Sequence, residues 1–320
     1  MNNNQSSSTT RVLVTGANGF IGYNLCVSLK EKGYFVRGAV RSNECDVFGV
    51  DECIQVGDIN DSTDWQQALV GVGTVIHLAG RAHVMDERES DSISVYRRVN
   101  VLGAKRLAEQ AVKSGVKRFI FISSVKVNGE ETLEPYTEKD IPEPQDGYGI
   151  SKREAEDLLA CISAEAGLQT VVLRLPLVYG PGVKANFKNL IKLVGSGLPL
   201  PFKGVNNRRS FLYLGNLVDA IIACINHPRA AGETFLVSDG QDVSTPDLIK
   251  IIASAMDKKA VLFSLHPGIL KALCKIIGKT EELEKLTVTL IVDSSKIRNL
   301  LVWKSPFTLE DGIRETVKGI

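Results

Sequence analysis

A large excess of charge of one sign, C-x-x-C motifs and long uninterrupted apolar runs are all missing from this 320-residue sequence. Its formal net charge is +1 and no segment is strongly basic, so the charge pattern of a nucleic-acid-binding protein is absent. The six cysteines form no C-x-x-C pair and the four histidines show no metal-ligand spacing, so we expect no bound metal. The apolar stretch 260–277 is interrupted by His266, Pro267 and Lys271, so we expect no membrane insertion.

The first ten residues, MNNNQSSSTT, lack the basic start and the apolar segment of a secretory signal. We therefore predict a disordered tail over residues 1–10. Four of the scattered cysteines lie in apolar segments, which is typical of proteins of a reducing compartment, so we expect a cytoplasmic protein. The length favours a large domain with a smaller one appended.

A glycine-rich motif, RVLVTGANGFIG, occupies Arg11–Gly22. The apolar run at its start predicts a buried strand, and the following residues Tyr23–Lys32 have the apolar spacing of a helix. Gly16 permits a tight turn, Gly19 lets the backbone approach a pyrophosphate, and Gly22 lets the helix pack on the strand. This context predicts a dinucleotide-binding site; the alternative is a plain turn between strand and helix.

Strand and helix patterns alternate from residue 11 to residue 175, which predicts an α/β, doubly wound parallel-sheet (Rossmann) domain that binds NAD(P). Strands are expected at Arg11–Thr15, Phe35–Val40, Cys53–Val56, Thr74–Leu78, Arg118–Ser123 and Thr170–Leu175. Helices are expected near Tyr23–Lys32, Asp61–Leu69, Ser90–Ser114 and Tyr148–Ala166. Shorter mixed elements with more proline follow, so residues 176–320 are predicted to be a smaller, mainly substrate-binding part, with 211–225 returning to the Rossmann layer.

The residues after the second and third predicted strands bear on the cofactor. An acidic residue after the second strand binds the ribose of NAD, whereas a cation there binds the 2′-phosphate of NADP. This strand ends in Val40-Arg41 with no acid, so NADP(H) is favoured and NAD(H) is the alternative. Asp58, followed by Ile59, is predicted either to accept a hydrogen bond from the adenine amino group or to cap a helix.

Small residues and one buried amide are predicted to line the same site. Leu78, Ala79 and Gly80 close the fourth strand, where their small size lets a dinucleotide lie close. Asn100 lies within an apolar helical pattern and needs a hydrogen-bond partner. We expect that partner to be a backbone carbonyl of the strand that ends at Ser123.

Tyr148 and Lys152 are four residues apart and therefore share one face of a predicted helix. An ammonium near a phenol favours the phenolate, which can exchange a proton with a substrate oxygen. Ser123 and Ser124 end the fifth strand, where a hydroxyl can hold that oxygen. A Y-x-x-x-K spacing also arises by chance, but here it follows a dinucleotide motif and two serines.

Six motifs together resemble the extended short-chain dehydrogenase/reductases that act on nucleotide sugars. They are TGANGFIG at Thr15–Gly22, HLAG at His77–Gly80, SSVKVNG at Ser123–Gly129, YGISK at Tyr148–Lys152, LRLPLVYGPG at Leu173–Gly182 and RRSFLYLGNLVDA at Arg208–Ala220. GRAHVM at Gly80–Met85 and KVNGEET at Lys126–Thr132 resemble the subgroup that contains UDP-galactose 4-epimerase-like enzymes and UDP-4-keto-6-deoxy-N-acetylhexosamine 4-reductases of O-antigen loci.

The resemblance implies a role for each matching residue. It implies Tyr148 as the acid/base, Lys152 as its electrostatic partner and ribose anchor, and Ser124 as the substrate-orienting hydroxyl with Ser123 beside it. It places Asn186 against the nucleotide sugar and Arg209 on the UDP diphosphate. The full set expected to bind the cofactor is Gly16, Gly19, Phe20, Ile21, Gly22, Arg41, Asp58, Ile59, Leu78, Ala79, Gly80, Asn100, Tyr148, Lys152, Pro176 and Val178.

Four positions depart from the pattern of that family. Asn128 replaces a tyrosine, Ser210 and Asn216 replace aspartates, and Leu177 replaces an asparagine found in many members. These departures affect the expected sugar contacts and leave the hydride machinery intact.

Two reactions fit the same residues. Arg41 favours exchangeable NADPH and therefore the 4-keto reduction of a UDP-4-keto-6-deoxy-N-acetylhexosamine for surface polysaccharide. The alternative is a UDP-sugar 4-epimerase, whose NAD must stay bound through each turnover. A third, remote alternative is a non-catalytic dinucleotide-binding protein. The resemblance also implies a homodimer formed through the helices near Ser90–Ser114 and Tyr148–Ala166.

Overall fold

A computed structural model describes residues 10–42, 47–82, 92–265, 268, 269, 275 and 280–320. The predicted tail, apart from Thr10, and much of the apolar stretch 260–277 lie outside the described residues. Within the described ranges, no helix is long and apolar enough to cross a membrane.

The strands and helices follow one another along the described chain. The strands are β1 (Arg11–Thr15), β2 (Phe35–Val40), β3 (Glu52–Gln55), β4 (Thr74–His77), β5 (Arg118–Ser124), β6 (Gln169–Leu175), β7 (Leu177–Tyr179), β8 (Phe211–Tyr213) and β9 (Thr234–Leu236). The helices are α1 (Phe20–Glu31), α2 (Gln66–Leu69), α3 (Ser92–Tyr96), α4 (Gly103–Lys113), α5 (Gly147–Ala166), α6 (Ala185–Gly195), α7 (Leu214–Asn226), α8 (Thr245–Ala255), α9 (Thr280–Thr287), α10 (Ser295–Leu301) and α11 (Leu309–Lys318). A π-helical turn, Arg97–Leu102, joins α3 to α4.

Seven strands form one sheet in the order β3-β2-β1-β4-β5-β6-β9, and β7 pairs in parallel with β8 in a separate two-stranded sheet. The pairs β1/β2, β1/β4, β2/β3 and β4/β5 are parallel, with Val12 opposite both Val36 and Thr74. The order reverses direction at β1, so the carboxyl ends of β1 and β4 form the switch point at which doubly wound sheets bind ligands. The predicted Rossmann architecture is confirmed.

The chain divides into two compact units. Unit 1 contains residues 1–127, 142–174 and 221–235, and unit 2 contains residues 128–141, 175–220 and 236–320. The predicted boundary lies near residue 175, and no separate segment was predicted at 128–141. The segment predicted to return to the Rossmann layer, 211–225, overlaps residues 221–235 of unit 1. The functions assigned to the two parts stay predictions.

Each unit has an apolar core of its own. In unit 1, side chains of the sheet pack against helices α2, α4 and α5, with Leu13, Leu107, Phe119 and Leu159 at most 1% exposed. In unit 2, an aromatic cluster is built around Tyr179, whose ring is 5.3 Å from that of Phe187.

The largest departure from the predicted elements is α2, which begins at Gln66 instead of Asp61. Asn60 and Ser62 explain the delay. The Asn60 side chain accepts hydrogen bonds from the backbone N–H and the hydroxyl of Ser62, at 2.8 and 2.6 Å. Such asparagine turns compete with helix formation, so these residues form a turn and only four residues remain helical.

Candidate active site

The glycine loop between β1 and α1 has the geometry expected of an anion-binding turn. Gly16 has a φ of +67°, and a Cβ on Gly22 would collide with the carbonyl oxygen of Gly16. Gly19 caps α1 without a side-chain hydrogen bond, and its own N–H binds the Gly16 carbonyl at 2.9 Å. The N–H groups of the first turn, at Phe20, Ile21 and Gly22, have no acceptor within the helix, because its first hydrogen bond runs from the Tyr23 N–H to the Gly19 carbonyl at 3.0 Å. This cradle fits a pyrophosphate.

A buried hydrogen-bond chain joins the ends of β1 and β4. The Thr15 hydroxyl lies 2.8 Å from Nδ1 of His77 and accepts the Ala79 N–H at 3.1 Å. Burial lowers the pKa of His77 to about 3, and the Lys152 charge adds to this effect, so His77 is neutral at physiological pH. A Cβ on Gly16 would lie 3.2 Å from the Ala79 backbone, so glycine is needed where the two strand ends meet.

Asn100 is 1% exposed, and its partners differ from the predicted ones. Its amide accepts the Arg81 N–H at 2.8 Å and donates to the Arg81 carbonyl and the Ser151 hydroxyl, each at 3.0 Å. The expected carbonyl of β5 is not its partner, because the π-helical turn directs the amide to the backbone after β4 and to α5. Asn100 therefore connects the HLAG segment with the helix that carries Tyr148.

Gly80 lies where Asn100 and Lys152 converge. A Cβ at this position would be 3.1 Å from Oδ1 of Asn100 and 3.4 Å from Nζ of Lys152. Since both groups are held by hydrogen bonds, any side chain larger than glycine would displace one of them. Gly80 thus lies beside the Lys152 ammonium, and the role of Leu78, Ala79 and Gly80 in binding a dinucleotide stays a prediction.

Tyr148 and Lys152 lie in the first two turns of α5. The Asp146 side chain caps this helix by accepting the Gly149 N–H at 2.7 Å. The Lys152 ammonium donates to the Ile122 carbonyl of β5 at 2.8 Å, and it lies 4.6 Å from the Phe121 ring centroid and 5.8 Å from that of Tyr148. The helix and the end of β5 therefore hold the phenol and the ammonium close together.

Burial disfavours the charged forms of both Lys152 and Tyr148. It lowers the pKa of Lys152 to about 8, against a rise caused by Glu156. The pKa of Tyr148 is raised by desolvation first, and then by Asp146 and Tyr96. We had expected the Lys152 charge to favour the phenolate, and in this structure burial outweighs that effect.

The two serines at the end of β5 have different environments. Ser123 is 3% exposed and donates to Oε1 of Glu156 at 2.5 Å. Ser124 is half-buried, and its hydroxyl accepts the Lys126 N–H at 3.3 Å. Ser123 is thus committed to a protein partner. Ser124 donates to no acceptor within the described part of the chain, and its substrate-orienting role stays a prediction.

Glu156 and Arg174 form a buried ion pair that our sequence reasoning missed. Arg174 donates to both carboxylate oxygens of Glu156, with the shortest bond 2.6 Å long, and both residues are at most 7% exposed. One signal could have revealed the pair. An arginine inside the apolar strand VVLRL requires a buried carboxylate, and Glu156 is one helical turn beyond Lys152.

Arg41 follows β2, and its side chain is 80% exposed. Its Nε lies 4.0 Å from a carboxylate oxygen of Asp58, which follows β3. The sequence placed no acid beside Arg41, so this carboxylate is an unexpected neighbour. Asp58 does not cap α2, because the capping position is Trp65.

In unit 2, Arg209 is half-buried and donates to the Lys285 carbonyl. No carboxylate within the described ranges pairs with its guanidinium, and burial lowers its pKa. Asn186 is exposed in the first turn of α6. Pro176 is buried and Val178 half-buried in the same unit. Arg209 and Asn186 therefore remain available for a ligand.

Two of the departures from the family pattern are compensated within unit 2. Ser210 donates to Asp242 at 2.5 Å and accepts the Val292 N–H at 3.0 Å. Asn216 donates to Asp239 at 2.7 Å. Positions 210 and 216, which carry no carboxylate themselves, thus each contact one, from Asp242 and Asp239.

A Rossmann sheet, a glycine cradle and a tyrosine-lysine pair beside a serine define a nicotinamide-dependent oxidoreductase of the extended short-chain type. The described residues contain no cluster of His, Cys, Asp or Glu that could hold a metal. The sequence matches the NAD dependent epimerase/dehydratase family over residues 12–238, and the chain belongs to this family.

Two curated proteins are similar over nearly the whole chain. A UDP-glucose 4-epimerase of Vibrio cholerae is 46% identical over 311 residues, which cover 96% of this chain and 94% of that protein. The second is an Escherichia coli O157:H7 protein named N-acetyl-alpha-D-glucosaminyl-diphospho-ditrans,octacis-undecaprenol 4-epimerase. It is 28% identical over 332 residues, which cover 96% of this chain and 94% of that protein.

The fold is similar to that of UDP-glucuronic acid 4-epimerase from Bacillus cereus, solved in complex with NAD. The TM-score is 0.77 at 23% identity, with 97% of this chain and 98% of the other covered.

Proposed function

We propose that this protein is a UDP-sugar 4-epimerase that uses a retained NAD. The observation that carries the proposal is the 46% identity, from end to end, with a V. cholerae protein named UDP-glucose 4-epimerase. Tyr148 and Lys152 on α5, with Ser124 at the carboxyl end of β5, support it, because 4-epimerisation needs a proton acceptor beside the carbon that exchanges hydride.

The glycine cradle and the surroundings of Lys152 would hold the dinucleotide. N–H groups at the start of α1 would bind its pyrophosphate, and the Lys152 ammonium would bind its ribose hydroxyls. When bound, NAD supplies an acceptor and donor of hydride for sugar carbon C4.

The protein groups move and hold the proton of the C4 hydroxyl. Tyr148 takes that proton as hydride leaves C4. It returns the proton after the 4-keto sugar has rotated in the site and presents its other face to the hydride donor. The Lys152 ammonium stabilises the phenolate against the opposing effect of burial during this exchange, and Ser124 donates to the C4 oxygen. Arg209, with no carboxylate partner among the described residues, would bind the UDP diphosphate through its planar guanidinium.

The pairing of Arg41 with Asp58 supports NAD over NADP. A 2′-phosphate at Arg41 would lie near the Asp58 carboxylate, and the two anions would repel each other. The 2′-hydroxyl of NAD can instead donate to that carboxylate.

A second candidate is favoured by Arg41 itself, a cation in the position where NADP enzymes bind phosphate. It is the NADPH-dependent 4-reduction of a UDP-4-keto-6-deoxy-N-acetylhexosamine in surface polysaccharide synthesis. For either reaction we also propose a cytoplasmic homodimer, on family resemblance.

The test is to identify the nucleotide released when the purified protein is denatured, and then to assay UDP-glucose and UDP-N-acetylglucosamine without added cofactor. The proposal expects NAD and the C4 epimer as product. In Tyr148→Phe the nucleotide is retained and turnover falls by on the order of 10²–10⁴-fold. Turnover that requires added NADPH, and occurs only with a 4-keto sugar, would replace the epimerase by the reductase.

Two variants test the cofactor argument separately. Asp58→Asn should improve the affinity for NADPH relative to NADH, whereas Arg41→Ala should weaken NADPH more than NADH. If neither variant changes the ratio of the two affinities, these side chains do not contact the 2′ position.

A further inference from the structure

The structure places a carboxylate, Glu156, two helical turns beyond Tyr148 and one turn beyond Lys152. These spacings put all three side chains along one side of α5. Glu156 is 7% exposed and bidentately bound by Arg174, so its position is fixed from β6. The side of α5 that carries the proposed chemistry therefore ends in a buried anion of defined geometry.

Glu156 also holds the end of β5. Its Oε1 accepts the Ser123 hydroxyl at 2.5 Å, and the next residue is Ser124, the proposed substrate-orienting hydroxyl. A shift of Glu156 would release Ser123 and let the strand end move. The hydrogen bond thus couples the position of Ser124 to α5, which carries Tyr148.

Among the charged groups around Lys152, Glu156 affects the pKa of the lysine. The titratable or charged groups on the packed elements are His77 on β4, Arg174 on β6, and Tyr148 and Glu156 on α5. Three more lie near the start of α5, namely Tyr96 at the end of α3, Lys126 in the turn after β5, and Asp146 at the cap of α5. His77 is neutral, and Lys126 pairs with Asp146 at 2.6 Å. Within the described residues, Glu156 is the group whose charge raises the pKa of Lys152.

We infer that Glu156 is a positioning residue, which fixes Ser124 relative to Tyr148 through Ser123 and keeps Lys152 cationic in the working pH range. The inference rests on the proposed function, because it assigns Glu156 to the proton transfer at C4. It adds a structural pair, Glu156 and Arg174, to the machinery formed by Ser124, Tyr148 and Lys152.

The experiment separates the charge of Glu156 from its hydrogen bond. Glu156→Gln keeps an acceptor for Ser123 and removes the charge, whereas Ser123→Ala keeps the charge and removes the hydrogen bond. Because Glu156→Gln leaves Arg174 without a counterion, the double variant E156Q/R174M is made in parallel as the version without buried charge. Glu165→Gln, on the exposed end of the same helix, is the matched control.

Two quantities are measured on each holoenzyme. The titration midpoint of Lys152 is followed by carbon-13 NMR of labelled lysine, with Lys152→Met to assign the signal. The alkaline limb of the kcat/KM profile is measured with the UDP-sugar substrate. In the native protein both should lie near the Lys152 pKa of about 8.

The expected result is a shift of both quantities to lower pH by on the order of one pH unit in Glu156→Gln, and a smaller shift in the same direction in the double variant, which loses the Arg174 cation together with the anion. The sign follows because loss of the anion makes Lys152 easier to deprotonate. Ser123→Ala should leave both midpoints unchanged and lower kcat by on the order of tenfold with little change in KM. Glu165→Gln should match the native protein.

An unchanged Lys152 midpoint in both Glu156 variants would overturn the charge role, and an unchanged kcat in Ser123→Ala would overturn the positioning role. Failure of the proposed function gives a different result. The native protein would then turn over no UDP-sugar, while the NMR midpoint would still report the effect of Glu156 on Lys152.

Discussion

Two carboxylates, the buried Glu156 of unit 1 and the half-buried Asp239 of unit 2, are stabilised in different ways. Glu156 of unit 1 faces a full positive charge, the guanidinium of Arg174. Asp239 of unit 2 is held by neutral donors, namely the Asn216 amide at 2.7 Å, the Tyr179 hydroxyl at 2.8 Å and the Tyr213 N–H at 2.8 Å.

The difference between the two networks shows how well each one stabilises the charge of its carboxylate. Burial raises the pKa of Asp239, and its neutral donors, with a smaller contribution from the Arg298 charge, only partly offset that rise. An ion pair instead keeps a charge in place without requiring solvent, at the cost of strong dependence on both partners. The charged network belongs to the unit that carries Tyr148 and Lys152, whereas the neutral network links β8, α7 and the aromatic core of unit 2.

Removing Arg174 should have the largest effect on stability. Arg174→Met leaves Glu156 buried and unpaired, which should lower the free energy of unfolding by about 3–5 kcal/mol. Arg153→Met, which breaks an exposed pair with Asp157 on α5, should change it by less than about 1 kcal/mol. Urea unfolding of both variants checks this, and similar losses would contradict the distinction between buried and exposed pairs.

Asn216→Asp should have the next largest effect, because it places a second carboxylate against Asp239. Like charges at this distance raise the pKa of one of the pair, so the folded pair holds a proton that the unfolded chain releases. Stability should therefore match the native value at low pH and fall as pH rises toward neutrality, by about 2–3 kcal/mol.

Unfolding free energies measured between acidic and neutral pH test this direction. Asn206→Asp, at an exposed position of unit 2, is the control and should show no such pH dependence. A variant whose stability increased with pH would mean that Asp239 does not lie against position 216.

The smallest expected effects on stability come from replacing two serines that donate to carboxylates, Ser210 in unit 2 and Ser123 in unit 1. Ser210→Ala should cost about 1–3 kcal/mol, because the buried Val292 N–H loses its acceptor along with the bond to Asp242. Ser123→Ala should cost about 0.5–1.5 kcal/mol, since Glu156 keeps Arg174. Paired unfolding curves decide the order, and a greater loss in Ser123→Ala would reverse the interpretation.

Local patterns predicted the elements that depend on neighbours in the chain. The strand, glycine loop and first helix follow from apolar spacing and from glycine, and Tyr148 and Lys152 share a helix face by their separation alone. The predicted helix boundaries were wrong where side chains compete with the backbone for hydrogen bonds, as Asn60 does before α2.

Contacts between distant segments were harder to predict. Asp58 approaches Arg41 only because β3 lies beside β2, and Asp239 reaches Asn216 across 23 residues. The Glu156–Arg174 pair depends on the packing of α5 against β6. These partners are chosen by tertiary structure, and a single sequence constrains them only through the general need of buried charges for a counterion.

The π-helical turn Arg97–Leu102 determines what a one-residue deletion in this part of the chain would do. A π turn accommodates one residue more than an α-helical turn, and each α-helical residue turns the helix by about 100°. Deleting one residue here would restore a continuous α-helix and leave the faces of α3 and α4 intact. It would also rotate Asn100 away from Arg81 and Ser151. Homologues with a one-residue gap at this turn are therefore expected to lack the amide link between the HLAG segment and α5, whatever residue they carry in its place.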